Sequence, residues 1–306
     1  MENLKRFGLD CNKLGDDGVV GIANNIAWGK LEFLSLSSNG IGPAGAVALA
    51  NKAWWNYLKV LQLDDNKLDE GGGTAIGENC SWEKLEVLTL SHCKIGDKAA
   101  QAIASNTTWT NLRQLNLSYN NIRKEGGIAI GSNVSWEKLE ELYLSYNQIK
   151  DEGAIAILSN TSWKNLTVLE LEKNEITDKS AVAFAKHAFW ENLERLSLAY
   201  NEIRNEVAIA VAGNATWARL RKIDLSCNAI GAEEGIAISK NTFWKDLENL
   251  NLGCNQIRDK GAVALAKNDA WRGLEWLNLS RNKVSDRGGI ALGRSTSWKG
   301  LEVLFI

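Results

Sequence analysis

An α/β solenoid is the architecture this sequence predicts, with short parallel strands stacked on one face and a helix after each strand on the other. Three observations carry the prediction. A tryptophan recurs every 27 residues, at Trp28, Trp55, Trp82, Trp109, Trp136, Trp163, Trp190, Trp217, Trp244, Trp271 and Trp298. An asparagine keeps the same step, at Asn12, Asn39, Asn66, Asn120, Asn147, Asn174, Asn201, Asn228, Asn255 and Asn282, and Cys93 fills the slot missing from that series. No insertion or deletion breaks the period. Length alone would suggest two average globular domains. A repeat array grows along one axis instead, so residues 1–306 read as a single solenoid domain of eleven 27-residue units.

In register, one unit reads WxxLxxLxLxxNxIxxxGAxAIAxNxx, and WTNLRQLNLSYN at residues 109–120 shows its first part. The alternating LxL suits a strand with one buried face. Parallel strands need a crossover of about a dozen residues or more, which each unit supplies. The GAxAIA part, as in Gly153 to Ile157, places small and aliphatic residues at helical spacing. Its small residues are expected to let the helix approach the strand layer closely. Asn-x-x-Trp then turns the chain back. The asparagines after the strands should form a ladder that satisfies turn backbone groups, and each indole should fill the space beneath its helix. Helices are wider than strands, which bends such a stack.

The LxxLxLxxN spacing resembles the leucine-rich-repeat family across the whole chain, and Cys93 falls within that family's tolerance. Unit length and the GAxAIA half are similar to the ribonuclease-inhibitor-like class. The constant tryptophan and the NTTWTNL phrasing at residues 106–112 are similar to repeats of proteins from host-dwelling bacteria and some protists. The resemblance implies a right-handed horseshoe with a parallel sheet on its concave face and helices on its convex face.

Thirty-five basic residues stand against 37 acidic ones, a formal net charge of −2, so neither nucleic acid nor an anionic membrane is an expected partner. The opening MENLKRFGLD is charged where a leader needs an apolar run, and no stretch approaches a membrane span. Five irregularly spaced cysteines read as reduced thiols of a cytoplasmic protein. Secretion by a signal-independent bacterial system stays open. Met1 falls in the tryptophan slot and LEVLFI reads as a bare strand, with no polar cap at either end. Head-to-tail self-association through the ends is therefore expected. A fragment, an engineered array and a natural chain with covered ends remain alternatives.

Catalysis needs a clustered constellation, and the two histidines, His92 and His187, fall in different parts of the repeat. They read as surface residues, and the chain reads as no enzyme. No CxxC or HxxxH spacing calls for a metal, and no cofactor is expected. Cys227 and Cys254 share a column in adjacent units, where parallel neighbours lie about 4.8 Å apart, inside the disulfide range; whether they pair is open. Gly71-Gly72-Gly73 lacks the Lys-Ser/Thr of a phosphate loop. Asp64, Asp65, Asp69 and Glu70 are expected to solvate a turn and cap the next helix. The acceptor tripeptides at Asn79, Asn106, Asn133, Asn160 and Asn214 read as turn residues rather than glycosylation sites.

Strand alternation leaves the third, fifth, seventh and eighth positions of LxxLxLxxN pointing outward. Four of the five tyrosines fall in these columns. Tyr119, Tyr143, Tyr146 and Tyr200, with Glu141, Glu170, Glu172 and Arg195, make a candidate partner-binding patch, since Tyr and Arg anchor interfaces and the acids suit a basic segment. An ordinary solvated surface is the alternative. Trp276, the extra indole in the third column, is a second anchor or a shield for the C-terminal end. The leading functional reading is a protein-binding scaffold. An engineered or structural array without a natural ligand is the second. The resemblance also admits a GTPase-activating-type regulator, for which Arg281 is the one candidate arginine.

Overall fold

The computed structural model describes residues 2–51, 54–186 and 189–306. The chain divides into two compact units, residues 1–166 and 167–306. In the first, strands β1 (Arg6–Gly8), β2 (Phe33–Ser35), β3 (Val60–Gln62), β4 (Val87–Thr89), β5 (Gln114–Asn116) and β6 (Glu141–Tyr143) alternate with helices α1 (Gly15–Ala23), α2 (Pro43–Ala50), α3 (Asp69–Glu78), α4 (Asp97–Ser105), α5 (Lys124–Gly131) and α6 (Lys150–Leu158). Each strand pairs in parallel with the next, and each residue faces its equivalent 27 positions on, as Leu88 faces Leu115.

The second unit repeats the plan. Strands β7 (Val168–Glu170), β8 (Arg195–Ser197), β9 (Lys222–Asp224), β10 (Asn249–Asn251), β11 (Trp276–Asn278) and β12 (Val303–Phe305) alternate with α7 (Ala181–Lys186), α8 (Asn205–Gly213), α9 (Ala232–Ser239), α10 (Arg258–Leu265) and α11 (Asp286–Gly293). Here too the strands pair in parallel and in register. Each unit is thus the expected α/β solenoid.

The periodic residues are the core. Trp55, Trp82, Trp109, Trp136 and Trp163 in the first unit, and Trp190, Trp217, Trp244 and Trp271 in the second, are fully buried. Two consecutive pairs lie nearly parallel and offset: Trp136 and Trp163 are 6.4 Å apart at 16°, and Trp244 and Trp271 are 6.3 Å apart at 20°. The indole N–H of each of these nine makes no hydrogen bond. Apolar burial therefore has to outweigh an unpaired donor at every turn of the stack.

Two asparagine ladders tie the repeats together. In the first, the Asn120 amide donates to Leu117 of its own repeat at 3.0 Å and to Leu90 of the preceding one at 2.8 Å. Its carbonyl accepts from the Cys93 and Ile95 N–H groups. Asn39, Asn66 and Asn147, and in the second unit Asn201, Asn228, Asn255 and Asn282, bond likewise to both repeats. Cys93 keeps part of this pattern, its thiol donating to Leu63 at 3.1 Å. Burial pushes that thiol up to about 12. The second ladder uses the asparagine of Asn-x-x-Trp. Asn133 donates to Ala104 of the preceding repeat at 2.7 Å and accepts from the Ser135 and Trp136 N–H groups. Asn79, Asn106, Asn160 and Asn214 are held in the same way and are buried. A sugar has no route to them in the folded chain, which gives the turn reading its physical reason.

Three details differ from the sequence reading. The small residues of GAxAIA face the neighbouring helix more than the strands. A Cβ on Gly127 would come within 3.0 Å of the Gly153 Cα, and one on Gly131 within 2.4 Å of the Ala156 backbone. Glycine is required because α5 and α6 approach that closely. The seventh column is open only in part: Ser118, Ser145, Ala199 and Ser226 are buried while Ser37, Ser91 and Glu172 are half-buried, because the chain curls back right after the strand. Asp64, expected to be solvated, is half-buried, accepting from Thr89 Oγ1 at 2.6 Å and the Ser91 N–H at 2.7 Å. Burial lifts its carboxyl above the usual range.

Repeat seven shows how locally the sequence acts. Ser180 stands where most units have glycine and is buried, donating to the Thr177 carbonyl at 2.9 Å. The helix starts there as a tight 3₁₀ turn, Asp178–Ser180, before α7. Elsewhere an acid of one repeat caps the helix of the next. Asp97 accepts from the Arg123 and Gly126 N–H groups at the start of α5, and Glu70 accepts from Lys98 at the start of α4. Carboxylates there meet unpaired N–H groups and the positive helix end. Among the described residues, no helix is long and apolar enough to cross a membrane.

Candidate binding face

The eighth position of every repeat sits in the left-handed region. Cys11, Ser38, Asp65, His92, Tyr119, Tyr146, Lys173, Tyr200, Cys227, Cys254 and Arg281 have φ between 52° and 58°. A side chain there costs roughly 1–2 kcal/mol that glycine would not. The backbone ladder holds the conformation: the Tyr119 N–H donates to Ser145 of the next repeat at 2.8 Å, and the Tyr200 N–H to Ser226 at 2.9 Å. A left-handed residue throws its side chain out of the turn, so this column stands beside the strands as a row of exposed or half-exposed groups.

In the first unit the row becomes a stacked ladder. Asp65 Oδ1 lies 2.8 Å from His92 Nδ1. His92 meets Tyr119 edge-on at 6.4 Å, and Tyr119 stacks on Tyr146 at 4.2 Å and 11°. Tyr119 is half exposed. One column away on β6, the Tyr143 hydroxyl donates to Glu141 Oε2 at 2.9 Å. Four of the eight predicted patch residues, Tyr119, Glu141, Tyr143 and Tyr146, therefore lie on this unit's strand face and its turns, two as a π-stack and two as a hydrogen-bonded pair.

The other four lie on the second unit. Arg195 Nη2 meets Glu170 Oε1 at 2.6 Å. Tyr200 is half exposed, and its phenol is raised above the usual value by hydrogen bonding to Cys227, with smaller contributions from Cys254 and Glu172. Glu172 is half-buried beside it. Burial, and then the Cys254 thiol and Asp224, push the Cys227 thiol upward. In the fifth column a polar chain runs across strands: Asn278 donates to Asn251 at 3.0 Å and Asn251 to Asp224 at 2.8 Å. Trp276 is half-buried and meets Phe305 edge-on at 5.8 Å. Arg281 is exposed in its left-handed turn.

A further charged column, at the second position of LxxL, escaped the sequence reading. In the first unit it runs Lys5, Glu32, Lys59, Glu86, Arg113, Glu140. Lys5 and Lys59 both reach Glu32, at 2.9 and 3.3 Å, and Arg113 pairs with Glu140. Hydrogen bonds from Lys5 and Lys59 hold the Glu32 carboxyl below its usual value. Arg221 pairs with Glu248 in the second unit. In the first unit the signal was present as a sign that alternates from each repeat to the next, a 54-residue period lying under the 27-residue one. Among the described residues no group of three His, Cys, Asp or Glu is arranged to hold a metal ion. His187 lies outside the described residues.

Parallel strands in 27-residue register, a leucine and tryptophan core and an asparagine ladder define a leucine-rich-repeat protein. Nine segments, residues 1–23, 30–50, 83–104, 110–131, 137–158, 164–185, 220–239, 245–266 and 274–293, match the family described as Leucine Rich repeat, and together they span more than half of the chain. The chain belongs to that family. Among solved structures it is similar to an internalin of Listeria monocytogenes, at 18% identity and TM-score 0.62, over 100% of this chain and 87% of that one. It is similar to a chain of the Rad7 and Elc1 complex of yeast, at 20% identity and TM-score 0.54, over 99% and 81%. It is also similar to the plant peptide hormone receptor RGFR1 in complex with RGF2, at 18% identity and TM-score 0.51, over 92% of this chain and 48% of that one. At these identities the likeness is one of fold. No curated protein is significantly similar to the chain in sequence.

Proposed function

We propose that the chain is a non-catalytic protein-interaction scaffold whose strand face, the concave face of a horseshoe, recognises a basic segment of a partner. One observation carries this reading: the Tyr119–Tyr146 stack, half exposed and built on left-handed turns at an energetic cost. The same turn recurs in every repeat, and at these two it carries the phenols outward, side by side. A stacked phenol pair attracts cations over its faces, and Asp65 and Glu141 supply negative charge on the same unit. Two of the similar structures carry protein complexes in their descriptions, a receptor with a peptide hormone and Rad7 with Elc1. Five free thiols suit a cytoplasmic location.

The test is fluorescence anisotropy of the intact chain with two labelled peptides of equal length, one Arg/Lys-rich and one Asp/Glu-rich. Selective binding of the basic peptide is expected. The double variant Tyr119→Ala/Tyr146→Ala should weaken it about tenfold or more, equivalent to about 1.4 kcal/mol, with an unchanged circular dichroism spectrum. Equal binding of both peptides, or binding indifferent to the double variant, overturns the reading.

A further inference from the structure

The eighth column of the second unit carries two cysteines in succession, Cys227 and Cys254. Their strands β9 and β10 pair in register, with Asp224 opposite Asn251. Three residues further on the two chains still run side by side: the Cys227 N–H donates to Gly253 at 2.9 Å, and the Cys254 N–H to Ser280 at 2.8 Å. Parallel neighbours lie roughly 4.8 Å apart, inside the Cα separation of roughly 4.4–6.8 Å that a disulfide spans. Both cysteines share the same left-handed backbone, φ 52° and 54°, so both thiols leave the turn in the same direction. The Cys227 thiol contacts the Cys254 thiol on one side and the Tyr200 hydroxyl on the other. Both cysteines are half-buried, within reach of a small solute.

We infer that Cys227 and Cys254 form a vicinal dithiol modification site, closed by a peroxide-class oxidant into a disulfide between consecutive repeats. One thiolate attacks a peroxide oxygen, the O–O bond breaks, and the sulfur becomes a sulfenic acid while one water leaves. The second thiolate attacks that sulfur, the S–O bond breaks, and the S–S bond forms with release of a second water. Two thiols are oxidised by two electrons and one peroxide is reduced. Burial raises the Cys227 thiol, so its attack proceeds through a minor thiolate fraction. Closure turns the Cys227 sulfur, which accepts from the Tyr200 hydroxyl, into a weaker disulfide acceptor, so the modification is felt on the strand face. This inference stands independently of the peptide-binding reading.

The other thiols set the design of the test. Cys11 and Cys80 are exposed and Cys93 is buried. In the full chain carrying Cys11→Ser and Cys80→Ser, one equivalent of hydrogen peroxide should remove about 2 Da from the intact mass, the two hydrogens of the thiols. Tryptic segments 223–240 and 246–258 should appear linked and separate on reduction. A further Cys254→Ser change should abolish the mass loss and leave Cys227 reactive to a sulfenic-acid probe. Ser38 occupies this same column, so serine fits the turn. Stable oxygen addition on either segment without linkage, unaltered thiols under tenfold excess peroxide, or a mass loss that survives Cys254→Ser each overturns the assignment.

Discussion

The side-chain amide of Asn66 donates to the Leu36 carbonyl of the preceding repeat at 3.0 Å. It also donates to Leu63 at 2.8 Å, while its carbonyl accepts from the Ile41 N–H at 2.9 Å, so one side chain closes a turn and fastens two repeats. Asn66→Ala leaves these buried groups unpaired. The expected loss is about 2–4 kcal/mol, read from the urea midpoint.

The Cys93 slot gives the opposite sign. A thiol reproduces the donation to Leu63 but is a weak acceptor for the turn it covers. Cys93→Asn should restore the full ladder and stabilise the chain by about 0.5–1.5 kcal/mol. A lowered thermal midpoint would show that the slot is shaped for sulfur.

Trp136 separates volume from hydrogen bonding. It is fully buried and its N–H makes no hydrogen bond. Trp136→Ala should cost about 3–5 kcal/mol. Trp136→Phe should cost clearly less, because it removes an unpaired donor together with part of the ring. Equal losses in chemical denaturation would mean that the indole nitrogen is not a liability.

Asp259 gives a pH signature. Its carboxyl is lowered by the Ser285 hydroxyl at 2.6 Å, and then by the Ser285 and Gly288 N–H groups at the start of α11. A group held below its unfolded value stabilises the fold above that value, and the contribution fades as pH falls through the folded pKa. Thermal midpoints of the native chain should therefore decline below the ordinary aspartate value of 3.8. Asp259→Asn should flatten that part of the profile. Asp64 has the opposite sign: its raised carboxyl favours the fold when protonated, and that contribution is lost as pH rises through its folded pKa.

Arg113 and Glu140 pair at the surface, with side chains 49% and 40% exposed. Exposed pairs of this kind contribute about 0–1 kcal/mol and are screened by salt. A double-mutant cycle at Arg113 and Glu140 should return a coupling in that range, smaller again in high salt. A larger, salt-insensitive value would mean that the charged column is structural.

The indole spacing made the core legible, because a residue that recurs at every turn of a stack meets its own copies. The LxL alternation made strand direction and burial legible for the same reason, and Leu88 does face Leu115. Charge and aromatic character in the eighth column marked Tyr119, Tyr146 and Tyr200 as surface residues, and they are exposed or half-exposed. Their arrangement was not legible. That Tyr119 stacks on Tyr146 while Tyr143 turns to Glu141 depends on the left-handed turn at one position and extended strand at the other. The partial burial of the seventh column was missed because period-two reasoning fails where the strand ends, three residues after it begins.

By itself the sequence determined the repeat, its strand and helix order, the tryptophan core and the asparagine ladder after the strands, since each follows from one local rule applied every 27 residues. Tertiary structure alone decided which helix Gly127 faces, which N–H groups Asp97 caps and which way the eighth side chain leaves its turn. These relationships join atoms of consecutive repeats. They are fixed by how closely the turns stack and by backbone angles that a residue's identity does not specify.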